Sequence, residues 1–418
     1  MTLRDHVVRV ARRAKAASRL LAQAATEQKN RALRAMAKRL HQQHSELERA
    51  NATDMACARA RNLSSAMIDR LTLTPKRIEE MRASLEAVAA LPDPVGEVIK
   101  EWRRPNGLRI RKVRVPIGAI GIIYESRPNV TADCAGLCVK SGNAVVLRGG
   151  SEAMHSNAAI ARILWAAMRE TGLPPAAIGF IARSERAGVR ILLGLTQSLD
   201  LIIPRGGQSL IDAVAQQSRI PVVKHDKGVC HVYVDDRADL DMAQEIVYNA
   251  KVQRPGTCNA METLLVHAGI ARAFLPRMAQ RFRQAGVELR GDPAAKRLVP
   301  WAKRATERDW TTEYLDLILS VRVVKDEDAA IEHISRYGSQ HSDAIVTDDA
   351  LRAQRFLNAV DSACVYVNAS TRFTDGYQFG LGAEIGISTN RLHARGPMAL
   401  EELTTYKYQV YGSGQLRV

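Results

Sequence analysis

The stretch Ala119–Gly150 reads AIGIIYESRPNVTADCAGLCVKSGNAVVLRGG. Its first six residues, Ala119 to Tyr124, are an apolar run of strand length. Residues 129–140 then read as an apolar helix, with Leu137 and Val139 beside Cys134 and Cys138. Ala144 to Leu147 is a second short apolar run. Short apolar strands joined through a helix indicate a parallel pair buried on both faces. The stretch ends on Arg148-Gly149-Gly150, where the second strand gives way to the next helix.

Downstream the alternation continues. Strand-like pieces are Ile178 to Ile181, Leu201 to Ile203 and Pro221 to Val223, with helical stretches near 151–171, 184–194 and 207–218. A second set follows: Val232 to Val234, Thr263 to Val266, Val321 to Val324, Ala344 to Val346 and Val365 to Val367, again with helices between. The fold class is α/β, two domains with mainly parallel sheets, meeting at a tight crossover near Lys224 to Gly228.

Upstream, residues 1 to about 92 read as helical, with Val8, Ala11, Ala14, Leu20, Leu21 and then Leu33, Met36, Leu40 at helical spacing. Thr74-Pro75 has the form of an N-cap followed by proline at the first helical position. Val98 to Arg103 and Leu108 to Val115 flank Asn106-Gly107, a pair suited to the positive φ of a tight turn. The apolar/basic alternation of the second run slips at Arg111-Lys112, which predicts a bulge there. Such a ribbon either lies on a partner subunit or faces solvent.

The 418 residues are 46% hydrophobic, enough for more than one core. The longest apolar run, Val115 to Tyr124, is too short for a membrane span and is interrupted by Gly118 and Gly121. The basic N-terminus lacks the apolar segment of a secretory signal. Six scattered cysteines, Cys57, Cys134, Cys138, Cys230, Cys258 and Cys364, form no disulfide framework and point to a reducing compartment. The net charge of +16 suits anionic small molecules. No run of five basic residues and no basic patch interleaved with aromatics is present, so nucleic-acid binding is the weaker reading. His225, Cys230 and His231 lack a second ligand pair at zinc spacing, and no metal is expected.

Two segments offer glycine-rich backbone at a helix start together with an arginine: Arg148-Gly149-Gly150-Ser151-Glu152 and Pro204-Arg205-Gly206-Gly207-Gln208-Ser209. Helix N-termini favour anions, and arginine pairs with phosphate through a planar fork. Each is equally readable as an ordinary turn, but two at the carboxyl ends of one sheet's strands suit a dinucleotide. Between a helix and a strand lies Gln253-Arg254-Pro255-Gly256-Thr257-Cys258-Asn259. Cys258 there is either an accessible nucleophile, helped by Arg254, or a plain loop cysteine.

The Cys258 segment, the two α/β domains and the hairpin resemble the aldehyde dehydrogenase superfamily. Within it the chain is similar to the γ-glutamyl phosphate reductase (glutamate-5-semialdehyde dehydrogenase) family. The resemblance spans nearly the whole chain. It rests on Val115 to Gly118 running on to Tyr124-Glu125-Ser126-Arg127-Pro128-Asn129-Val130-Thr131, on the Cys258 segment, on Ala330 to Ile345, and on Val367 to Gly376 with His393 to Met398.

The resemblance implies NADPH-dependent reduction of L-glutamyl 5-phosphate to L-glutamate 5-semialdehyde in proline biosynthesis, in the cytoplasm. Cys258 forms a thioester, and Ser126 with the Cys258 backbone N–H serves the oxyanion. Arg148, Ser151 and Glu152 contact the adenosine ribose; Gly206, Gly207 and Gln208 hold the pyrophosphate; Glu313 holds the nicotinamide ribose. Arg127, Asn368, Ser370 and Arg372 bind the charged ends of the substrate, although Arg127 is equally readable as structural. His225 stands where hydrolytic relatives place a glutamate base, as suits a thioester that is reduced and not hydrolysed. Residues 1–97 and 116–226 make the NADP-binding domain and 227–400 the catalytic domain. Residues 98–115 and 401–418 make the element of a homo-oligomer. A γ-glutamyl kinase is the expected partner. The competing enzyme reading is an NAD(P)-linked aldehyde-oxidising dehydrogenase.

Overall fold

Five amphipathic helices open the computed structural model, which describes residues 1–224 and 227–417, apart from the side chains at 65 and 66. They are α1 (Leu3–Leu21), α2 (Thr26–Gln42), α3 (His44–Ala60), α4 (Ser65–Leu71) and α5 (Pro75–Ala90). Thr74 caps α5, its hydroxyl accepting the Arg77 N–H, with Pro75 in the first turn as the sequence predicts. The chain then forms β1 (Val98–Arg103), β2 (Arg109–Pro116), β3 (Ala119–Tyr124), α6 (Asn129–Lys140), β4 (Ala144–Arg148), α7 (Met154–Glu170), β5 (Ile178–Phe180), α8 (Ala187–Leu193), β6 (Leu201–Arg205) and α9 (Gln208–Gln217). Residues 221–223 contribute one isolated bridge, Val222 to Ile202, in place of the predicted strand.

Strands β3 to β6 form a parallel sheet in the order β5-β4-β3-β6. All six residues of β3 are buried, which accounts for its unbroken apolar run. The chain leaves β3 toward β4 and β5 on one side and returns to β6 on the other. Such a reversal opens a crevice at the carboxyl ends of the neighbouring strands on either side of the switch, β3 and β6, here Tyr124 and Arg205.

From there the chain runs through β7 (Cys230–Val234), α10 (Leu240–Val252), β8 (Met261–His267), α11 (Ala268–Gln284), β9 (Glu288–Gly291), α12 (Pro293–Leu298), β10 (Lys303–Arg304), β11 (Ile318–Val324), α13 (Glu327–Tyr337), β12 (Ser342–Val346), α14 (Ala350–Ala359) and β13 (Cys364–Val367). These strands form a seven-stranded parallel sheet, β10-β9-β11-β8-β7-β12-β13. β9 and β10 were not legible as strands: β9 alternates charged with small or apolar residues, and β10 is two exposed residues at the edge.

Short β14 (Gly386–Ser388) and β15 (Gly396–Met398) precede β16 (Thr404–Tyr411). β16 joins the predicted hairpin as a third antiparallel strand, in the order β1-β2-β16. The register shift lies between Val98 and Lys100 of β1. This corrects the expected slip at Arg111-Lys112, because β2 pairs with β16 in unbroken register from Pro116 to Arg109.

The chain divides into two compact units. One comprises Met1–Lys224, Gly380–Gly386 and Met398–Val418; the other comprises His225–Phe379 and Ile387–Pro397.

Candidate active site

In the first unit the candidate residues gather at the carboxyl ends of β3, β4 and β6. Ser126, two residues beyond β3, is buried and holds a left-handed backbone, φ +43°. Its backbone N–H and its hydroxyl both donate to Glu152 Oε1, at 2.6 and 2.9 Å. The bonds join two residues to which the resemblance gives separate roles, Ser126 at the oxyanion and Glu152 at the adenosine ribose. Arg148 is buried, and burial holds its guanidinium below the usual range. It donates to the Ser184 carbonyl at 2.8 Å, bracing the loop after β5. Ser151 is exposed beside it, and Arg127 is exposed beyond Ser126.

The turn Gly206-Gly207 follows β6 as expected. Its Gly207 N–H donates to Glu125 Oε2 at 2.9 Å. A Cβ on Gly206 would overlap that same carboxylate. The turn thus presents a backbone donor to an anionic oxygen, here the Glu125 carboxylate. Gln208 begins α9 and donates to Asp212 at 2.8 Å. Glu125 itself was missed by sequence reasoning, although it lies inside the motif that carried the resemblance.

In the second unit Cys258 is half-buried on the turn between α10 and β8. α10 ends at Val252, and Pro255 and Gly256 follow within the turn. Lys251 and Glu262, both fully buried, close its base with a 2.6 Å ion pair. Burial pushes Glu262 up to about 7 and Lys251 down. Asn259 donates to the Thr374 carbonyl at 2.8 Å, and Thr371 donates to the Asn259 carbonyl at 2.7 Å. The buried Cys230 thiol donates to the Cys258 carbonyl, Sγ to O 3.2 Å. Burial raises the Cys230 pKa well above the ordinary thiol range, so it stays a donor. A Cβ on Gly228 would overlap the Cys258 backbone, so glycine there lets the two strands of chain touch.

Glu313 Oε1 accepts the Gly228 N–H at 2.9 Å, which sets it behind the same turn. Burial raises its pKa. Arg372 donates through Nε to Gln253 Oε1 at 2.9 Å. Burial first, then the charge of Arg254, holds its guanidinium below the usual range, and the charge of Cys258 acts in the opposite sense. Both arginines thus bear on the nucleophile turn, where positive charge favours thiolate. Ser370 is buried and accepts the Arg372 N–H at 3.3 Å. Asn368, with φ +54°, is exposed, and its amide exchanges two 2.9 Å bonds with the Thr347 backbone. His225 lies outside the described residues. Cys230 and His231 were weighed as zinc ligands; Cys230 serves Cys258, and buried His231 pairs with Asp343 at 2.8 Å. Gly228, Cys230, Lys251 and Glu262 carried no catalytic signal in the sequence, because their roles exist only once β7, α10 and β8 are side by side.

Residues 2–304 match the model of the aldehyde dehydrogenase family. The chain is 57% identical to a γ-glutamyl phosphate reductase of Moorella thermoacetica, over 97% of each chain. It is 56% identical to one from Thermodesulfovibrio yellowstonii over 100% of each. The crystal structure of a γ-glutamyl phosphate reductase from Thermotoga maritima, 49% identical, superposes with a TM-score of 0.97 over 99% of this chain and 100% of that one. The chain belongs to the aldehyde dehydrogenase family, in its γ-glutamyl phosphate reductase branch.

Proposed function

We propose that this chain reduces L-glutamyl 5-phosphate to L-glutamate 5-semialdehyde and phosphate, with NADPH as reductant and a thioester on Cys258, in proline biosynthesis. The observation that carries the reading is similarity along the whole chain to relatives named for that reduction. The family and its reductase members imply a nicotinamide cofactor acting with a small-molecule substrate.

The Cys258 thiolate attacks the acyl carbon of the acyl phosphate. The carbon–oxygen bond to phosphate breaks, phosphate leaves, and a glutamyl thioester remains. A bound nicotinamide would supply the hydride that the thioester carbonyl accepts. Negative charge then develops on the carbonyl oxygen, for which the Cys258 backbone N–H and Ser126 are the proposed donors. Re-formation of the carbonyl expels the Cys258 thiolate and frees the aldehyde. Arg254 and Arg372 favour that thiolate as nucleophile and as leaving group. Gly206, Gly207, Gln208, Arg148 and Ser151 are the proposed holders of the dinucleotide phosphates and adenosine ribose, and Glu313 of the nicotinamide ribose. Arg127, Asn368, Ser370 and Arg372 are the proposed anchors of the substrate's charged ends.

No helix among the described residues is long and apolar enough to cross a membrane. We place the enzyme in the cytoplasm, a reducing compartment that suits cysteines held outside disulfides, where a γ-glutamyl kinase supplies the acyl phosphate. The reaction run backwards tests the reading. Oxidation of the semialdehyde by NADP⁺ should fall at least about tenfold when inorganic phosphate is left out, since water is then the only acyl acceptor. Equal rates with and without phosphate would replace the reading with a hydrolytic aldehyde oxidiser.

A further inference from the structure

We infer that Glu152 is a positioning residue for Ser126, and not a ribose contact of the cofactor. The inference rests on the proposed role of Ser126 at the acyl oxygen.

Three observations converge. Ser126 is a non-glycine residue at φ +43°, a conformation that is strained for an L-residue and persists only where the surroundings impose it. One carboxylate oxygen supplies that constraint: Glu152 Oε1 takes the Ser126 backbone N–H at 2.6 Å and its hydroxyl at 2.9 Å. The chain before Glu152 is shaped to allow this reach. Gly150 is buried, and a Cβ there would overlap the Glu152 carboxylate. The second glycine of Arg148-Gly149-Gly150 thus clears a path for the carboxylate folding back over the strand end. The first helical turn after β4 presents an acid to β3, where the sequence alone suggested a cradle for phosphate.

The two bonds differ in kind. The backbone bond fixes the residue whatever its side chain does. The hydroxyl bond is exchangeable: rotation about χ1 or of the O–H moves the donor from Glu152 to an oxyanion while the backbone clamp stays closed. Glu152 then acts on the reacting oxygen only through Ser126. A ribose contact acts on cofactor binding, so the two roles divide between kcat and KM.

The test is steady-state kinetics of Glu152→Ala, Glu152→Gln, Ser126→Ala and the Ser126→Ala/Glu152→Ala double variant, with NADPH binding measured separately by fluorescence. Glu152→Ala should lower kcat about tenfold or more and leave NADPH affinity within about twofold. Glu152→Gln keeps an acceptor oxygen and should recover most of kcat. The double variant should be little worse than the worse single variant, because both act at one atom. A weakened NADPH affinity with kcat preserved in Glu152→Ala would overturn the inference and restore the ribose contact. Additive losses in the double variant would overturn it too. Full kcat in Ser126→Ala would remove the reading of Ser126 beneath it, leaving the cysteine chemistry to its own test. Circular dichroism of each variant separates these outcomes from misfolding, and a Glu152→Ala chain that fails to fold while Glu152→Gln folds and is inactive would also count against the positioning role.

Discussion

At the scale of single residues, the account depends on how the backbone of Cys258 is held. Its carbonyl is bonded from within by the Cys230 thiol and pressed against Gly228, so the sulfur is carried by a turn that cannot shift without disturbing β7. A methyl at Gly228 meets backbone atoms, which cannot rotate away as the end of a side chain can. Gly228→Ala should therefore cost about 1–3 kcal/mol of stability. It should also slow turnover at least about tenfold while NADPH still binds. Thermal unfolding and kcat together check this, and a fully active variant would show that the turn is softer than its contacts imply. The nucleophile was legible in the sequence, because a cysteine on a Pro-Gly turn with an arginine nearby carries chemical meaning by itself. Its supports were not legible. Gly228 and Cys230 lie 28 to 30 residues before it and gain their roles only through parallel pairing of β7 with β8.

At the scale of elements, α13 carries His333 against a polar interior. The ring meets His231, Trp310 and Tyr337, and Arg322 lies 2.7 Å from its Nδ1. Burial first, then repulsion from His231, Arg322 and Arg336, pushes its pKa down from 6.5 to about 2. The unfolded chain binds a proton there below pH 6.5 and the folded chain does not. Stability from this group is thus present above pH 6.5 and falls by up to about 1.4 kcal/mol per pH unit as the pH drops toward 2. Asp133 and Glu262, pushed up to about 6 and about 7, slope the other way, so the comparison must be with a variant. Urea midpoints of the wild type and of His333→Gln, taken from pH 7.5 to 5.5, should show a flatter acid-side loss in the variant. Parallel curves would mean that His333 takes up its proton equally in the folded and the unfolded chain. Element boundaries were legible where apolar period and caps agreed, as at β3 and at Thr74-Pro75. They were illegible at β9 and β10, whose short mixed sequences become strands only because β11 offers an edge to pair with.

At the scale of the whole molecule, the α/β plan could be read from the alternation of apolar runs, and the hairpin from Asn106-Gly107. The third strand of that sheet was less visible, since β16 lies almost 290 residues away and alternates aromatic with polar side chains toward solvent. Tyr406, Tyr408 and Val410 are each about half exposed on β16, and its outer edge is unpaired among the described residues. An exposed strand with such a face suits pairing with a second copy of the chain, and that pairing is the expectation to test. Tyr408→Glu should shift the protein to smaller species in sedimentation velocity with the fold retained, and an unchanged distribution would place subunit contacts elsewhere. The central claim, however, is chemical. The most direct measurement supplies L-glutamyl 5-phosphate from a kinase and ATP without any reductant, quenches in acid, and maps acylated peptides by mass spectrometry. A glutamyl adduct on the peptide holding Cys258, absent from Cys258→Ala and lost on adding NADPH, is the predicted result. An adduct on another side chain, or none while wild-type turnover proceeds, would contradict the thioester route.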